Sequence, residues 1–143
     1  MIAFARAALA CAAIGIASPV FCQTQGRCPK LPPDVELKWM YSAGPDFDVC
    51  NAMRGDDQLF GIYLGNHPSF HPDAKKPSVK GKVGKHDVRW YDKPTEGSGK
   101  TIAKEALVTL GEFPDHQVAH VWVGAANAKE LEKTFDILGR LVF

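Results

Sequence analysis

The chain has 143 residues, enough for one domain and too few for two cores of ordinary size. Its 17 basic and 16 acidic side chains leave a formal charge of +1, which excludes a basic footprint for nucleic acid and a polybasic membrane patch. No stretch reaches the ~20 apolar residues that a comfortable transmembrane helix needs.

Residues 1–22 read as a secretory signal peptide. Arg6 is the only charge before Arg27, and the segment after it is a small-and-apolar run of about 12 residues ending in small side chains. A buried N-terminal helix would have to accommodate both Arg6 and the Ser18-Pro19 break. Removing the segment takes the 17 basic side chains to 16, equal to the 16 acidic ones. Cleavage after Ala17 leaves Cys22, Cys28 and Cys50, whereas cleavage after Cys22 leaves the pair Cys28 and Cys50. An exported chain with two cysteines joins them more readily than it keeps a free thiol, so a mature start at Gln23 and a Cys28–Cys50 disulfide are expected. Closing a loop of about 22 residues is worth roughly 3 kcal/mol in the chain-entropy model. Lipidation is set aside, because Phe21 before Cys22 is not the small residue that a modified cysteine requires.

Residues 23–35, with Pro29, Pro32 and Pro33, form an extended lead-in to a single domain over residues 36–143. From Glu36, Leu37, Trp39 and Tyr41 alternate with Glu36, Lys38 and Met40, which is the period of a half-buried strand. After the turn at residues 42–46, Phe47, Val49, Asn51 and Met53 mark a second strand. The third, residues 58–64, is apolar on both faces and suits a central position. Gly61 within it marks either a bulge or the close approach of a neighbour. A connection of about 13 residues then runs to Ser78, longer than usual and of a kind that carries function. Strands follow over residues 79–83, 86–91, 101–110 and 117–126, the last strongly apolar. At residue 127 the period changes. Asn127 with Glu130 is a capping-box start, and Leu131, Phe135, Leu138 and Val142 recur at helical spacing.

The fold class is therefore α+β: a twisted, mostly antiparallel sheet of six or seven strands with one C-terminal amphipathic helix packed on one face. Short turns make a meander the default connection, and a flattened barrel closed by the helix is the nearest alternative.

Residues 57–73 hold the candidate site. Their second half presents Asn66, His67, Ser69, Phe70, His71 and Asp73 between Pro68 and Pro72. Prolines stiffen such a loop and reduce the entropy lost on binding. Phe70 is either a contact anchor for a protein or small ligand, or the loop's own small core. His67 and His71 with Asp73 are also a donor set that zinc or copper can use. The prolines argue against the helix that would put both imidazoles on one face, so further ligands, such as His86 or His116, would be needed.

Other motifs carry less. Gly97-Ser98-Gly99-Lys100-Thr101 resembles a phosphate-loop tail, but Pro94 stands where its first glycine belongs and a strand follows instead of a helix. His120 shares a strand face with Val118 and Trp122 and reads as a satisfied core or edge histidine more than as a catalytic one. No nucleophile, base and orienting acid come together in the sequence. The reading is a small periplasmic or secreted binding or inhibitor-type module, more a binder than an enzyme, presenting residues 66–73 to a protein or ligand. It calls for no nucleic acid, no membrane anchor and no cofactor. The alternative is a metal-binding protein or metal-dependent enzyme using His67 and His71.

Overall fold

Period-two alternation builds seven strands among the described residues, and one 3.6-period segment builds the helix. The computed structural model describes residues 26–95, 99–111 and 117–143. The signal-peptide reading, both cleavage sites, the tip of the Gly97-Ser98 loop and His116 lie outside them. The elements are β1 (Lys38–Ala43), β2 (Asp48–Arg54), β3 (Asp57–Gly65), β4 (Ser78–Val83), β5 (His86–Asp92), β6 (Ile102–Thr109), β7 (Val118–Ala125) and α1 (Ala128–Gly139).

All strands join one antiparallel sheet in the order β1-β2-β3-β7-β6-β5-β4. It is open, not the flattened barrel of the alternative reading. Five of the six neighbouring pairs are consecutive in sequence, as short turns dictate, and the exception is β3 beside β7. Two meanders are therefore zipped together along their most apolar strands. The long connection between β3 and β4 must cross the sheet to reach the far edge, which is the physical reason for its length.

Register sets the two faces. Across the sheet, Cys50 stands opposite Ile62, Ile62 opposite Val121, and Val121 opposite Ala106; all four are buried. One residue out of phase, Gly61 faces Trp122 and Trp122 faces Glu105. The first face is the core. α1 lies over its β7-to-β4 half, with Ile137 and Leu138 buried and Phe135 against Trp90 at 4.7 Å between centroids. Each such side chain taken from water contributes about 1.5–3 kcal/mol. Asn127 Oδ1 accepts from the Glu130 N–H at 3.0 Å, and Glu130 Oε2 accepts from the Ala126 N–H at 3.0 Å. The box thus closes on the residue before the cap. At the other end, the Gly84 N–H donates to the Leu138 carbonyl at 2.8 Å. Gly84 has φ +55°, and a Cβ there would stand 2.7 Å from the Leu141 carbonyl oxygen, so only glycine serves.

The lead-in covers the β1–β3 half of the same face. Cys28 and Cys50 form the expected disulfide. The Trp39 indole N–H donates to the Pro29 carbonyl at 2.8 Å, Lys30 bridges to Val142, and Arg140 holds Asp34 at 2.7 Å. Beside the disulfide, Tyr41 Oη and Arg27 Nε each donate to the buried Asp48 carboxylate at 2.6 Å. Burial pushes the Asp48 carboxyl up, but these hydrogen bonds outweigh it and hold its pKa below the usual value.

Candidate functional site

The sheet's second face carries neither helix nor lead-in. β3 places Tyr63 there, β7 places His120 and Trp122, β6 places Glu105, and β5 places Tyr91, all in phase through the registers Tyr63–His120, Trp122–Glu105 and Glu105–Tyr91. Residues 66–77 run over this face from β3 to β4. The loop is tethered at its start, where Tyr63 Oη accepts from the His67 N–H at 3.0 Å. It is fastened in its middle by Phe70, whose ring lies 5.4 Å from His120 and 5.7 Å from Tyr91. Of the two readings of Phe70, the geometry is that of the loop's own core: the ring is half-buried against the sheet.

Under Phe70, His120 is buried with 6% exposure, and its Nε2 lies 3.0 Å from Glu105 Oε2. Burial lowers the imidazole pKa below its ordinary value, while the Glu105 carboxylate pulls the other way and nearby Lys93 adds to the lowering. His120 is therefore neutral near pH 7. It is satisfied by a carboxylate rather than by backbone, and it serves as the post on which the loop rests.

Beside the loop a groove of about 790 Å³ opens on the same face, within the roughly 300–1,000 Å³ range of small-molecule sites. His67 and Ser69 form its loop-side wall, Tyr63, His120 and Trp122 part of its floor, and Lys93 and Lys100 its far rim. Beyond the rings this face of the central strands is built from small residues. Gly61 faces Trp122, and a Cβ on it would stand 2.2 Å from indole Cζ2. The indole therefore lies against bare backbone, which realises the close-approach reading of Gly61; the irregular register sits instead between Ala52 and Met53. Gly124 and Ala103 continue the floor, with the Lys100 stem crossing Gly124.

The candidate residues of the loop thus separate. His67 and Ser69 line the groove, whereas the exposed His71 and Asp73 do not. Asp73 organises a turn, its Oδ1 accepting from the Lys75 N–H at 2.9 Å. Asn66 is exposed at the loop's entry and makes an interaction there. Among the described residues no three His, Cys, Asp or Glu side chains are grouped to hold a metal ion. His86 packs edge-on against Phe143 at 5.9 Å. The phosphate-loop lookalike is also accounted for where it is described: Lys100 pairs with Asp57 at 2.9 Å, and Thr101 Oγ1 donates to the Ala126 carbonyl at 2.7 Å.

Sequence reasoning missed Trp122, Tyr63, Lys93 and Lys100 as site residues. A signal for the first existed: a tryptophan and a histidine at i and i+2 on an otherwise small-and-apolar strand mark a face that is not ordinary core. The chain matches no protein-family model, no curated protein and no solved structure.

Proposed function

We propose that the protein is a small exported binding or inhibitor-type module, non-catalytic, whose site is the loop of residues 66–73 together with the groove it walls. The observation that carries the reading is the groove itself, on the face free of the helix, between a stiffened loop and a Trp122–Tyr63 floor. A concave site with apolar rings and a few convergent polar groups is the usual form of a ligand site. His120 fits the non-catalytic reading: its Nε2 is engaged by Glu105 and its ring is covered by Phe70, which suits a support more than a proton shuttle. Export is supported by the signal-like N-terminus and by the Cys28–Cys50 disulfide, a bond that persists in oxidising compartments.

Screening a fragment library by amide and side-chain NMR tests the site. Hits are expected to shift Tyr63, His67, Ser69 and Trp122 together; hits that scatter over the surface, or that cluster on the helix, would remove the reading. Mass spectrometry of the protein from the extracytoplasmic fraction tests export. A chain beginning at Gln23 or Ser18 is expected, and an intact Met1 confined to the cytosol would overturn it.

A further inference from the structure

The chemistry of the groove deepens this reading, and rests on it, by selecting a ligand class. The three tryptophans are placed differently. Trp39 and Trp90 are buried at 7% and 1% exposure, whereas Trp122 is half-buried on the groove floor. Its indole lies against the backbone of Gly61, so its position is set from beneath by the sheet. His120 flanks it at 5.4 Å between ring centroids, and the indole also lines the groove. Ala103 and Gly124 line the groove beside the ring, with the Lys100 stem lying across Gly124.

The rim is polar and balanced in charge. Asp56 and Asp57 are matched by Lys93 and Lys100, with Lys100 and Asp57 already paired at 2.9 Å. Gln58 Nε2 donates to Asn51 Oδ1 at 3.1 Å, which holds the amide in one orientation at the groove's edge. His67 and Ser69 face them from the loop. A wholly apolar ligand would strip water from these groups without replacing it, which is costly. A strongly charged ligand would meet one repelling pair for each attracting one. A neutral molecule fits both features if it has a flat apolar side for the indole and hydroxyls that donate and accept around its edge.

We propose that the groove binds a neutral saccharide, with one ring stacked on Trp122 and its hydroxyls shared among Gln58, Asp57, Lys93 and Ser69.

The experiment is a titration of the mature, disulfide-bonded protein with maltotriose, cellotriose and chitotriose in the millimolar range, followed by tryptophan fluorescence and the Trp122 indole NMR signal. The dye 1-anilinonaphthalene-8-sulfonate serves as a planar anionic competitor. A saturable change with at least one trisaccharide is expected, weakened roughly tenfold or more in Trp122→Ala. Trp122→Phe, which keeps a ring, should lie between, and Lys93→Met should weaken binding. Thermal unfolding of each variant shows whether it is folded, and the buried Trp39 and Trp90 signals should stay put. Binding of the dye in the groove with none of the trisaccharides would overturn the saccharide assignment in favour of an aromatic anion. Absence of any saturable change with the trisaccharides would overturn it too. In both cases fragment hits at Tyr63 and Trp122 would leave the binding-module reading standing.

Discussion

The two faces of the sheet are made by the same strands and covered by different means. On the core face, α1 and the lead-in exclude water from Phe60, Ile62, Val121 and Leu138, and a disulfide joins the cover to β2. On the other face a single loop rests on Tyr91 and His120 and leaves a groove beside it. Apolar area removed from water stabilises in proportion to its extent, so the first face holds the fold. The second face is covered by two half-buried phenylalanines, Phe70 on His120 and Tyr91 and Phe47 on Tyr63, with two prolines and a few polar contacts, and contributes less. It keeps open space, the close approach of Trp122 to the Gly61 backbone and the His120–Glu105 pair.

The sharpest way to break this comparison is to truncate one ring on each face. Phe60→Ala should cost about 3–5 kcal/mol in urea unfolding, the usual figure for a fully buried phenylalanine. Phe70→Ala should cost roughly 1–2 kcal/mol, as befits a half-buried ring, and should raise amide exchange in residues 66–77 alone. Equal costs would show that the loop belongs to the core.

Next in size is the staple. Reduction, or Cys28→Ser with Cys50→Ser, should lower stability by roughly 3 kcal/mol. An unchanged melting temperature, with two free thiols in the untreated protein, would contradict the bond as a stabiliser. Gly61→Ala follows. The added methyl must displace the Trp122 indole, so a loss of about 1–3 kcal/mol is expected together with a shifted Trp122 fluorescence. A silent substitution would mean that the ring is free to move and is no fixed platform.

The smallest effect is in pH. His120 has its folded pKa lowered, so the unfolded chain takes up a proton before the folded one as pH falls. Its contribution to stability is full above about 6.5, declines as the pH drops from there towards the lower folded value, and is level below that. NMR titration should place the His120 midpoint below 6.5, and Glu105→Gln should lower it further because a partner that favours the charged ring is gone. A midpoint raised by Glu105→Gln would reverse the roles assigned to burial and carboxylate. Asp48 gives a separate acid limb. Its depressed pKa contributes stability above about 3.8 that is lost as pH falls through the folded value, and Asp48→Asn should remove that limb.

Much of this architecture was legible residue by residue. Leu37, Trp39 and Tyr41 announced β1 by alternation, Asn127 and Glu130 announced the start of α1, and parity in the cysteines announced Cys28–Cys50. The double-sided apolar run of residues 58–64 placed β3 in the interior of the sheet. The pairing of β3 with β7 was not legible, because register between strands distant in sequence depends on which apolar faces meet after collapse. The site was half legible for the same reason. His67 and Ser69 lie in one conspicuous loop, but Trp122, Lys93 and Lys100 come from separate elements brought to one groove.

The sequence by itself determined the elements and the covalent staple, since each rests on periodicity, capping or a count within a short window, but not every face: β2 buries Asp48, Cys50 and Ala52 instead of the alternate set that marked it. Only the tertiary structure decided that residues 66–77 cross the second face instead of projecting from it, that Phe70 docks on His120, and that Gly61 lies beneath Trp122. Those outcomes depend on space left over when two meanders zip together, and no local pattern encodes leftover space.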